Sequence, residues 1–108
     1  MNDDIEVVRG SGNVFRDFGH ASADVEQTKA ILASKIVGVL DDEALSTRGA
    51  EAVTGVSHSE FARIRGVKLD RFTIDRLITI LNRLHRRVEL DVTIRPIPEK
   101  ERPSLGVD

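Results

Sequence analysis

Apolar positions along the chain follow two different spacings, and the point where one gives way to the other divides it. From about residue 24 to 39, Val25, Thr28, Leu32, Ile36 and Val39 recur at three- and four-residue steps, which predicts a helix with one buried stripe. Ser22 stands where an N-cap belongs, Asp24 and Glu26 occupy the first turn, where the helix dipole favours anions, and Asp41-Asp42 marks the exit. A short second helix is predicted over 47–54, with Gly55 placed to end it because glycine adopts positive φ without a Cβ clash. Ser57 followed three residues later by Glu60 has the spacing of a reciprocal capping box. A third helix therefore begins at His58 and runs to about Arg65, with Phe61 and Ile64 on its buried side and Gly66 at its end. Thr73 caps a fourth, whose stripe is Ile74, Leu77, Ile78, Leu81 and Leu84, with Arg83, Arg86 and Arg87 gathered where the dipole favours cations.

The period then drops to two. Val88, Leu90, Val92 and Ile94 alternate with Glu89, Asp91, Thr93 and Arg95, the pattern of a half-buried strand, and Pro96 and Pro98 stop it. A lone strand is not stable, so it pairs either with the N-terminal segment or with the same strand of a second copy; a two-fold antiparallel pair needs no other element. Residues 1–22 lack helical periodicity. Ile5-Glu6-Val7-Val8 has the makings of a short strand, which Gly10-Ser11-Gly12-Asn13 breaks. No long apolar strand precedes those glycines and no third glycine or Walker lysine follows, so a nucleotide loop is excluded. The expected organisation is a flexible arm over 1–22, a helical domain over 23–87, a strand over 88–95 and a tail over 96–108.

Composition narrows the function. A chain of 108 residues that is 40% hydrophobic and 31% charged is one globular domain with an aliphatic core, since its only aromatics are four phenylalanines. With no cysteine, disulfides, thiolate catalysis and Cys-ligated metals are ruled out. His20, His58 and His85 are too scattered to announce a metal site, and neither a His-Glu-x-x-His run nor a nucleophile elbow occurs, so no cofactor, metal or enzymatic activity is expected. No apolar run is long enough to span a membrane, and Met1-Asn2-Asp3-Asp4 is the reverse of a basic signal-peptide start; a soluble, cytoplasmic protein is expected. The net charge of −2 is misleading. Residues 1–43 hold four bases against nine acids, whereas 44–90 hold nine bases against five acids. A basic middle behind an acidic front fits a module that meets polyanion with one part only, the alternative being a solvated helical surface that is Arg-rich.

A short helix, a glycine turn and a capped helix resting on a fourth are what a helix-turn-helix requires. Its second helix enters the major groove, so it needs a polar front and an apolar rear. Ser57, His58, Ser59, Ala62 and Arg63 can face outward while Phe61 and Ile64 pack inward, with Arg65, Lys68 and Arg71 just beyond for phosphates. Ser57 is chiefly a helix cap, His58 is within reach of a base edge, and Arg63 is the leading base or phosphate reader.

Two blocks, Asn13-Val14-Phe15-Arg16-Asp17-Phe18-Gly19 and Arg71-Phe72-Thr73-Ile74-Asp75-Arg76-Leu77, make residues 13–95 resemble the HigA-type antitoxins of the XRE, or lambda-repressor-like, regulators. The resemblance implies a mainly α, dimeric five-helix bundle with a C-terminal β-strand used in dimerisation through Val88, Leu90, Val92 and Ile94. It implies binding to a palindromic double-stranded operator, repression of its own operon, and neutralisation of a RelE-like (HigB-like) mRNA-cleaving toxin. Thr47 and Arg48, at the start of the second helix, would then join the DNA-contacting set. The acidic arm, with Val7, Val8, Val14 and Phe15 as apolar anchors, is the candidate toxin clamp. The second helix departs from the family pattern: Thr47 stands where relatives carry Gln, Glu51 where they carry a small residue, and Thr54 where they carry Leu. These departures favour an alternative, a protein-interaction module on the same scaffold that does not read DNA.

Overall fold

The structure is a computed structural model and describes residues 23–102. These hold four α-helices, α1 (Ala23–Asp42), α2 (Thr47–Thr54), α3 (His58–Arg65) and α4 (Ile74–Arg83), and a 3-10 turn at Glu99–Glu101. The predicted cap at Ser22 and the predicted arm lie outside the described residues. The chain divides into two compact units: Lys29–Glu89, and a second built from Met1–Thr28 with Leu90–Asp108.

The Lys29–Glu89 unit is the helical bundle. Leu32, Ala33, Ile36 and Leu40 of α1, Ala50 of α2, Phe61 and Ile64 of α3, and Leu77, Ile80 and Leu81 of α4 form one buried cluster, closed by Val56, Leu69, Phe72 and Leu84 from the connections. The stripe predicted for α1 is displaced. Leu32 and Ile36 are buried, but Val25 is 43% exposed and Val39 only partly covered, while Ala33 and Leu40 face the core instead. Helix α1 also runs three residues past the expected end, through Asp41-Asp42.

Local chemistry starts each short helix. Ser46 Oγ accepts from Gly49 N at 3.0 Å, Ser57 Oγ from Ser59 N at 3.2 Å and Glu60 N at 3.4 Å, and Thr73 Oγ1 from Arg76 N at 3.2 Å. Each satisfies a donor that the helix start would otherwise leave without a partner. The predicted capping box is only half formed, because the Glu60 carboxylate turns to Arg76 of α4 instead of to the Ser57 amide.

Helix ends follow a less expected rule. Gly55 closes α2 at φ 78, as predicted, and its amide donates to Glu51 O at 2.8 Å. Gly66, by contrast, has φ −85, and the left-handed residue after α3 is Val67 at φ 58. Val67 N donates to Ile64 O at 3.1 Å and Lys68 N to Arg63 O at 2.9 Å, the paired bonds of a Schellman motif. Ala44 (φ 53) and His85 (φ 64) end α1 and α4 with the same bond pattern. In these three helices the hydrogen bonds dictate a left-handed residue and the sequence does not supply glycine there.

The predicted strand over 88–95 is not formed. Among the described residues, 87–97 make no backbone–backbone hydrogen bond, and Leu90, Val92, Ile94 and Ile97 are exposed. A strand exists only as one side of a ladder, and no described segment supplies the other side. Val88 alone of the four predicted dimerisation residues packs, half-buried, against the bundle core.

Candidate nucleic-acid interface

Helix α3 is amphipathic by simple geometry. At about 100° per residue, Ser59, Ala62 and Arg63 lie opposite Phe61 and Ile64. The structure agrees: Phe61 and Ile64 are buried, and Ser59, Ala62 and Arg63 are all exposed. Ser57 Oγ and Ser59 Oγ share a hydrogen bond at 2.7 Å, so the Ser57 hydroxyl is engaged both as cap and with its neighbour.

The flanks of α3 are tied to each of the other helices. On one side His58 Nδ1–H donates to Glu51 Oε1 of α2 at 2.8 Å, and Arg65 Nη2 donates to Asp41 Oδ1 of α1 at 3.0 Å. On the other, Arg76 of α4 grips Glu60 with two bonds, Nε to Oε1 at 3.1 Å and Nη2 to Oε2 at 3.0 Å. The parallel bidentate geometry makes the last the strongest of the three; half-exposed, it contributes about 1 kcal/mol or less. Its bond to Glu60 raises the Arg76 pKa above the ordinary arginine value, and the bond from His58 holds the Glu51 carboxyl below the ordinary carboxylate range. At the start of α4 the Thr73 side chain lowers the Asp75 pKa, helped by backbone amides.

The turn between α2 and α3 is held from behind. Arg83 Nη1 donates to Thr54 O, the last carbonyl of α2, at 3.0 Å. Thr54 Oγ1 donates to Ala50 O at 2.7 Å and accepts from Val56 N at 3.0 Å, so its buried hydroxyl is satisfied within the turn. Two of the three departures in the second helix thus have structural work: Thr54 braces the turn and Glu51 meets His58.

The basic residues sort into two groups. Arg65, Arg76, Arg83 and Arg86 are bound to other parts of the bundle, Arg86 through Glu43 and Leu84 O. Arg48 at the start of α2, Arg63 on the outer face of α3, and Lys68 and Arg71 in the connection to α4 are exposed and make no side-chain hydrogen bond or ion pair among the described residues. The same is true of Lys35 and Arg87, and Arg48 lies near enough to Glu51 to help lower its carboxyl pKa. Of the predicted DNA-contacting set, then, Ser59, Ala62, Arg63, Arg48, Lys68 and Arg71 present free surface. Thr47 is half-buried at the first position of α2, and Arg65 is held by Asp41. Among the described residues no three His, Asp or Glu side chains converge as a metal ion would need. Val7, Val8, Val14 and Phe15 lie outside the described residues.

A short helix, a left-handed glycine and a helix with a free polar front, over a common apolar core, is a helix-turn-helix. A family model described as a helix-turn-helix domain matches residues 14–93. The chain belongs to the helix-turn-helix domain family. No curated protein and no solved structure gives a significant match. Within this helix-turn-helix, α2 and α3 are the paired helices, α3 occupies the groove-reading position, and α4 supports both. Among the described residues no helix is long and apolar enough to cross a membrane.

Sequence reasoning missed Asp41, Glu51, Arg76 and Arg83 as parts of this site. Each positions α3 or the turn before it. Their partners lie 24, 7, 16 and 29 residues away, a separation at which spacing carries no signal.

Proposed function

We propose that this helix-turn-helix protein is a homodimeric, cytoplasmic DNA-binding transcription regulator without enzymatic activity. It acts as the antitoxin of a toxin–antitoxin pair that represses its own operon and neutralises a RelE-like mRNA-cleaving toxin. The observation that carries DNA binding is the division of the bases: Arg48, Arg63, Lys68 and Arg71 stay free around the polar front of α3 while the remaining arginines of the bundle's helices are engaged. Free guanidinium and ammonium groups are what phosphate contacts need, and the polar front of α3 is what base edges need. Two copies would place their α3 helices in successive major grooves about 34 Å apart on a palindromic site. A gel shift with the DNA upstream of the gene tests this. Arg63→Ala is expected to weaken binding about tenfold or more, and wild-type binding is expected to fall steeply with salt. Salt-independent binding, or none, would leave the interaction-module reading in its place.

The dimer reading is supported by the exposed run 88–95. Two identical antiparallel strands centred on Val92 set Leu90 opposite Ile94, Val92 opposite itself, and Glu89 opposite Arg95 on the other face. A centre one residue earlier would oppose Asp91 to itself and Arg87 to Arg95. Centring on Val92 therefore joins all three exposed apolar residues and forms two cross-strand ion pairs. The toxin reading rests on the resemblance and on the acidic front of the chain. Deleting residues 1–19 is expected to abolish neutralisation of a co-expressed toxin while leaving DNA binding intact; retained neutralisation would refute it.

A further inference from the structure

The Glu51–His58 pair is the polar contact at this site that a scaffold alone does not require. The Glu51 carboxylate on α2, three residues after an Arg48 near enough to help hold it ionised, belongs to a side chain 43% exposed and would repel an approaching phosphate if left uncompensated. It is not left so: it accepts the Nδ1–H of His58 at 2.8 Å. An ionised carboxylate has only acceptors, so the proton of the shared bond belongs to Nδ1. Nε2, across the ring, makes no hydrogen bond among the described residues, and the side chain is 39% exposed. His58 is the first residue of α3, and the N-terminal residues of a groove-reading helix are the ones that meet base edges.

We propose that Glu51 and His58 form a two-residue reading unit, in which Glu51 locks the imidazole as the Nδ1–H tautomer so that Nε2 is offered to DNA as a hydrogen-bond acceptor. The proposal rests on the DNA-binding reading above and adds to it a specificity residue and the chemistry it selects. In the major groove the groups that can donate to such an acceptor are the exocyclic amines, N6 of adenine and N4 of cytosine; guanine presents only acceptors there. His58 is the contacting residue, and Glu51 is a positioning residue that acts through it. A pair that merely stapled α2 to α3 would contribute to stability and would leave base preference untouched.

Selection of binding sites from a random duplex library, with the full chain, separates these roles. Every base pair carries one such amine on one of its strands, so the wild type is expected to prefer one orientation of a base pair, with the amine on a fixed strand, at one position of each half-site. Both Glu51→Ala and His58→Ala are expected to lose that preference by about three- to tenfold, the worth of one hydrogen bond. They should lose it at the same position, with the double variant losing no more than either single. Other positions and the salt dependence should stay as in the wild type. Long-range nitrogen–proton NMR spectra of the free protein should show His58 protonated on Nδ1, and Glu51→Ala should release that tautomer. Glu51→Gln, which keeps an acceptor oxygen, should restore part of the preference. No fixed base-pair orientation at any position, additive effects at different positions, or lower thermal stability with every base preference intact would overturn the proposal while leaving DNA binding standing. If the wild type selects no sequence at all, the DNA-binding reading falls and this proposal falls with it.

Discussion

Helix α3 and the run 88–97 both lie at the surface and both alternate apolar with polar residues, yet they have opposite fates. In α3 the apolar side is closed, with Phe61 at 0% and Ile64 at 1% exposure, its flanks are tied to three helices, and only a polar front remains open. In the run, Leu90, Val92 and Ile94 are 58%, 72% and 86% exposed, and the backbone makes no backbone–backbone hydrogen bond among the described residues. A helix satisfies its own backbone and needs a neighbour only for one stripe. A strand needs a neighbour for every second amide and carbonyl as well. Among the described residues the first region is complete and presents a surface, whereas the second has no neighbour for its ladder. A polar front left open suits a reversible, charge-driven partner such as DNA, whereas an open apolar row with free amides suits a strand from a second copy.

The largest expected effect tests this contrast directly. Phe61→Ala should cost about 3–5 kcal/mol in urea unfolding, as loss of a fully buried aromatic does. Val92→Asp should change the stability of the dilute monomer by no more than about 0.5 kcal/mol, as an exposed substitution does. A large loss from Val92→Asp would mean that the run is packed within its own chain.

Next in size is the register of the pair, read by sedimentation equilibrium. Glu89→Arg and Arg95→Glu should each weaken dimerisation about tenfold, since each sets like charges opposite one another twice per dimer at about 0.2–1 kcal/mol per contact. Combining the two should restore the wild-type constant. Failure of the double swap to rescue would reject the Val92-centred register and direct attention to the N-terminal segment as the strand's partner.

The helix ends offer two substitutions of opposite sign. Gly55→Ala should destabilise by about 1–2 kcal/mol, because φ is 78 there and the added Cβ would also approach Arg83 Nη1 at 3.5 Å. Val67→Gly should stabilise by up to about 1 kcal/mol, because a 68% exposed, β-branched residue in the left-handed region loses little burial when replaced. Thermal unfolding reads both. A stabilised Val67→Gly variant that binds DNA less well would show that the strained valine serves the interface.

The smallest effect is on the acid side. The pKa values of Glu51 and Asp75 lie below their ordinary values, so the unfolded chain binds more protons over the carboxylate range. Their contribution is therefore fully present above about pH 4–5 and is lost as pH falls through the lowered folded values. Asp75→Asn should reduce the loss of stability between pH 5 and pH 3; an acid limb identical to that of the wild type would remove Asp75 from the account.

Most of the helical fold could be read in advance. The bounds of α2 and α3, the caps Ser57 and Thr73, and the turn at Gly55 all came from signals that act within one turn of chain. The stripe of α1 was misjudged at Val25 and Val39, because a long helix presents several plausible stripes and its neighbours choose among them. Glu60 was assigned to its own helix start, whereas Arg76, brought near only by folding, binds it more strongly. Of the candidate interface, the polar front of α3 could be read from its periodicity, but the availability of each cation could not. Both Arg63 and Arg65 are candidate DNA contacts in the sequence, and the position of Asp41 at the end of α1 takes up Arg65 alone.

Local composition by itself determined where the three short helices start and which face of α3 and α4 is apolar, because capping, dipole and periodicity are forces between residues one to four apart. Tertiary packing alone decided which charges are consumed in holding the bundle and which remain for a partner, because that depends on residues as far apart as Glu43 and Arg86 arriving within hydrogen-bond distance. Among the described residues it also left the predicted strand over 88–95 unformed, since alternation along one segment specifies a face, and only a second segment can supply the ladder.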